Sequence, residues 1–113
     1  MPPEIRETIN QLNQELKEIE QESLRGLNLI DPALNLFPNN SILIQFSAYL
    51  NNMLFMVENY HNRILIIVGK IALSDNDWEI VQDSGEELGE LLGRVLEAKI
   101  GLERIINRLE TLQ

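Results

Sequence analysis

Cysteine is absent from the 113 residues, which excludes disulfide staples, thiolate zinc centres and cysteine nucleophiles. A single histidine leaves little room for metal chemistry. Aromatic residues make up only 5% of the chain, and all four prolines (Pro2, Pro3, Pro32 and Pro38) precede residue 40, so nothing from Ser41 onward forbids long helices. Basic residues are scarce. Lys+Arg number 9 against 18 Asp+Glu, for a formal net charge of −9 and a pI near 4.5. Affinity for nucleic acid comes largely from Lys and Arg releasing phosphate counterions, so no nucleic-acid partner is expected, and an anionic membrane surface is disfavoured likewise. No apolar run is long enough to span a bilayer, because Asn51, Asn52, Asn59, His61 and Asn62 interrupt the most hydrophobic stretch. No basic-then-apolar leader is visible, and the chain reads as cytoplasmic. Gly-rich phosphate loops and Gly-x-Ser-x-Gly turns are missing too.

What the chain has in quantity is aliphatic side chains, with Leu and Ile together at 33 positions. Their periodicity predicts an all-α fold: a single domain over residues 1–113, built as a long antiparallel helical hairpin with a shorter N-terminal helix. Ile5, Ile9, Leu12, Leu16 and Ile19 alternate at 4-3 spacing and predict an amphipathic helix over 4–25. Pro3 suits its first turn, and Gly26 reads as a left-handed stop. Residues 26–40 then form an apolar connection punctuated by Asp31-Pro32 and Phe37-Pro38, with no more than one helical turn.

Residues 41–73 carry two adjacent apolar stripes, one through Phe46, Met53, Tyr60 and Ile67, the other through Leu50, Leu54, Val57 and Leu65. So wide an apolar surface predicts the hidden central helix of a three-helix bundle. The β-branched run 64–68 leaves a buried strand as the alternative there. A last helix over 76–112 shows a 4-3 seam through Ser84, Leu88, Leu91, Val95, Ala98, Leu102, Ile105, Leu109 and Leu112. Asn76 with Glu79, and Ser84 with Glu87, each have the form of a capping box, so a break near Ser84 is open. Charge sums to −4 over residues 1–40, +1 over 41–74 and −6 over 75–113.

Gly85, Gly89 and Gly93 recur every four residues on the last helix, beside Leu92, Leu96 and Ile100 and off the 4-3 seam. Each glycine weakens an isolated helix by about 1 kcal/mol relative to Ala. Close approach of another helix is the expected offset: helix one, a second copy in a coiled-coil-like homodimer, or a partner protein. These six residues are the candidate interface. Glu58 and His61 have the i, i+3 spacing of carboxylate-bridged di-metal bundles, with Glu87 or Glu90 as possible bridging ligands from the last helix. His61 beside Arg63 also raises phosphotransfer. Its flanks lack the small residue and nearby Lys of phosphotransfer domains, and a packed histidine without chemistry is the simpler reading. Glu15 with Glu18 and Glu87 with Glu90 read as solvated helix faces, and Trp78 as a plug at the bundle end.

The resulting expectation is a non-enzymatic adaptor, assembly or regulatory module without catalytic residues, metal or cofactor. It binds another protein of basic surface through apolar helix faces and associates with itself. The alternatives are a His61-centred phosphotransfer or di-metal bundle, and an acidic surface that mimics DNA.

Overall fold

The computed structural model describes residues 1–74 and 77–112. Three helices of nearly equal length follow one another: α1 (Pro3–Leu36), α2 (Ser41–Leu73) and α3 (Trp78–Thr111). At about 1.5 Å per residue each helix is about 50 Å long, in keeping with the 58 × 19 × 16 Å extents of the Cα trace. Contacts fix the directions. Glu15 meets Lys99 and Arg25 meets Glu110, so α1 and α3 run parallel, whereas Arg63 meets Glu87 and α2 runs antiparallel to α3. The molecule is an all-α three-helix bundle.

Local chemistry marks each start. Pro3 lies in the first turn of α1, where its missing N–H has no helical partner to lose. The Asn40 side chain accepts hydrogen bonds from the Ile42 and Leu43 amides at 3.0 and 3.2 Å and caps α2. Asp77 caps α3 by accepting from the Glu79 amide at 3.1 Å. The capping box expected at Asn76 falls on a residue outside those described. Residues 64–68 are helical, and α3 is unbroken through Ser84, whose side chain is buried.

The first helix departs most from expectation. It does not stop at Gly26 but continues through Asp31 and Pro32 to Leu36, so there is no apolar connection over 26–40 and no shorter N-terminal helix. The true connections are residues 37–40 and 74–77. Burial explains the continuation. Ser23, Gly26 and Ile30 extend the stripe of Leu12, Leu16 and Ile19 along one side of the helix, and all six are buried. The gain from burying that face outweighs the unfavourable local signals, and Pro32 costs the helix the one hydrogen bond its missing N–H would have given the Asn28 carbonyl. Gly26 is a packing residue: a Cβ there would lie 2.7 Å from Leu50 Cδ1 and 2.8 Å from Ile106 Cδ1. The three helices meet most tightly at that level.

The seam of α3 is buried at Ser84, Leu88, Leu91, Val95, Leu102 and Leu109. Near the C-terminus Ile106 takes the most enclosed place, Ile105 packs at its edge and Leu112 is exposed. The middle helix is not hidden. α1 packs more extensively on α2 and on α3 than those two pack on each other, which makes α1 the central element. α2 buries Phe46, Ile64 and Ile67 of one stripe together with Leu50 and Val57 of the other, and leaves Ile44, Phe55, Leu65, Ile66 and Leu73 facing out. No helix of the described residues is long and apolar enough to cross a membrane.

Candidate functional site: the glycine ridge of α3

The inward side of α3 is held by Leu88, Leu91 and Val95, all essentially without solvent contact. One position further on, Gly89 and Gly93 point the other way and are exposed. A Cβ built on either would meet nothing within 4 Å. Gly85 differs, because the Ile5 side chain of α1 comes within 3.3 Å of the corresponding point. Helix one thus covers the first glycine and leaves the other two bare. Leu92 packs against the core edge, Leu96 is exposed, and Ile100 is 53% exposed. The six residues of the sequence-derived interface accordingly form a strip that begins under α1 at Gly85 and opens to solvent toward Ile100.

The strip has charged borders. Glu86, Glu90 and Glu97 each stand three or four residues from one of the bare glycines and are exposed. On the α1 side Lys99 donates hydrogen bonds to Glu15 at 2.8 Å and Glu18 at 2.6 Å. These two glutamates are therefore not simply solvated faces, since Glu15 is half-buried and both clamp α1 to α3. Hydrogen bonds from Lys99 and then Gln14 hold the Glu18 carboxyl below its ordinary range, and those same carboxylates raise the Lys99 ammonium. The clamp was invisible in the sequence because its partners are 84 and 81 residues apart.

Trp78 is 68% exposed and lies over a shallow groove with Pro2, Ile5 and Val81. It therefore does not plug the bundle end. It stands about two turns before Gly85 on α3, beside the start of α1.

His61 is half-buried and lines an open groove of about 380 Å³ with Glu20, Leu24, Leu54, Val57, Glu58 and Asn62. Of the two bridging partners considered for a di-metal centre, Glu90 is exposed and Glu87 is engaged elsewhere, meeting Arg63 at 3.4 Å and Lys70 at 4.0 Å. Arg63, the cation considered for a phosphoryl group on His61, is held by the same carboxylate. Among the described residues no three His, Asp or Glu side chains converge to hold a metal ion.

Comparison of the chain with protein-family models, with characterised proteins and with solved structures finds no match in any of the three.

Proposed function

We propose that this protein is a non-enzymatic helical interaction module, an adaptor, assembly or regulatory subunit, whose α3 ridge receives a helix of another protein. The observation that carries the reading is the open space over Gly89 and Gly93, flanked by exposed Leu96 and Ile100. Two glycines in mid-helix cost about 1 kcal/mol each, and the chain's own packing returns nothing for them. A docked helix would bring its backbone close to α3 at these positions and cover the neighbouring Leu and Ile. The border of Glu86, Glu90 and Glu97 selects a partner with Lys or Arg beside its apolar stripe and repels acidic proteins and nucleic acid. A cytoplasmic setting is part of the same proposal.

The test uses Gly89→Leu and Gly93→Leu, each placing a side chain where there is free space. Both variants should keep the helical content and cooperative unfolding of the parent and lose the proteins captured by it in its native cells. An unchanged set of captured proteins with both variants would refute the reading.

A further inference from the structure

We infer that the outward face of α2 is the seam of a two-fold antiparallel homodimer with Phe55 at its axis. Ile44, Phe55 and Ile66 are 47%, 64% and 61% exposed and lie outside the hydrophobic core. They follow one another at intervals of eleven residues, close to three turns of helix, so they stand in one line along the bundle. Between them on the same side are Ala48, Asn51, Asn59 and Asn62, with Glu58 on one flank and Arg63, paired with Glu87, on the other. A face so apolar and so nearly neutral is singular in a chain of net charge −9.

Two pairs of residues are symmetric about Phe55. Ile44 and Ile66 are equally distant from it, and so are Asn51 and Asn59. A two-fold interface requires this self-complementarity, because residue i must suit residue j and residue j must suit residue i. In antiparallel register Phe55 meets Phe55 of the second copy, Ile44 meets its Ile66, and the Asn51 amide meets the amide of its Asn59.

Charge selects the second copy as occupant of this face. Residues 1–40 sum to −4 and residues 75–113 to −6, so two copies repel through α1 or α3, whereas residues 41–74 sum to +1. The strip from Ile44 to Ile66 is about 33 Å long and about one helix wide. That footprint falls below the about 800 Å² per partner of a standard stable interface, so the dimer is reversible and concentration-dependent. The inference is independent of the α3 ridge.

Sedimentation equilibrium from low to high micromolar concentration tests it, with circular dichroism to verify the fold of every variant. The 13.0 kDa chain should approach twice that mass, and Phe55→Glu, altering a side chain already in solvent, should remain monomeric with unchanged helicity. Gly93→Leu should dimerise like the parent. Because the chain has no cysteine, orientation is read from single-cysteine variants and a short bismaleimide. Ile44→Cys mixed with Ile66→Cys should cross-link, and Ile44→Cys alone should not. A parent that stays monomeric at every concentration, a Phe55→Glu variant that still dimerises, or cross-linking of Ile44→Cys with itself would each overturn the proposal.

Discussion

Gly26 of α1 and the pair Gly89 and Gly93 of α3 are the same residue in the same kind of helix, yet their surroundings are opposite. Around Gly26 the neighbours leave no room for even a methyl group, with Leu50 and Ile106 within 2.8 Å of the point a Cβ would occupy. Around Gly89 and Gly93 there is open space. The first glycine is accounted for by packing inside the chain; the other two have no such neighbour, and the proposed docking surface rests on that difference. A glycine in a helix thus carries two meanings that its immediate neighbours in sequence do not distinguish.

The contrast between the two sides of α3 is broken most strongly at adjacent layers. Leu88→Ala, on the enclosed side, is expected to lower unfolding free energy by about 2–5 kcal/mol. Leu96→Ala, on the exposed side, is expected to change it by less than about 0.5 kcal/mol. Urea denaturation of both variants checks this. Gly26→Ala comes next: overpacking costs about 1–3 kcal/mol and better helix propensity returns about 1 kcal/mol, for a net loss on the order of 1 kcal/mol. Gly89→Ala and Gly93→Ala should move the other way, each raising stability by up to about 1 kcal/mol. A loss at either ridge position would mean that the ridge is packed within the chain after all.

The last effect concerns the clamp that holds the ridge beside α1. Lys99→Met should cost no more than about 1 kcal/mol, the upper end for a partly exposed ion pair. Its pH dependence has a definite sign. The depressed Glu18 contributes above its ordinary value of 4.5, and that contribution is lost as pH falls below it. The raised Lys99 contributes fully below 10.5 and loses its contribution as pH climbs further. The stability difference between parent and Lys99→Met should therefore be flat between these limits and shrink beyond both, as followed by thermal unfolding over pH.

Much of the architecture was legible in the residues. The bounds of α2 and the seam of α3 follow from apolar spacing and from the absence of proline after residue 38. The end of α1 was not legible, because Gly26 and Asp31-Pro32 are local stop signals and the burial of Ile30 that overrules them is a tertiary effect. The exposure of α2 was misread for a related reason. Both apolar stripes contribute to the core, whereas the outward Ile44, Phe55 and Ile66 lie on a third line that the two-stripe reading left out, and only the placement of α1 as the central helix shows which side faces water. The glycine ridge was found by spacing, whereas its division into a covered Gly85 and two bare positions depended on where Ile5 lies.

The most direct test of the ridge as a docking surface is photocross-linking in the native cell, with a benzophenone side chain placed at Ile100. The account predicts a discrete adduct between this chain and another protein, lost when Gly89→Leu and Gly93→Leu are combined with the probe. A probe at Ile100 that yields no adduct, or one that survives both substitutions, would contradict it.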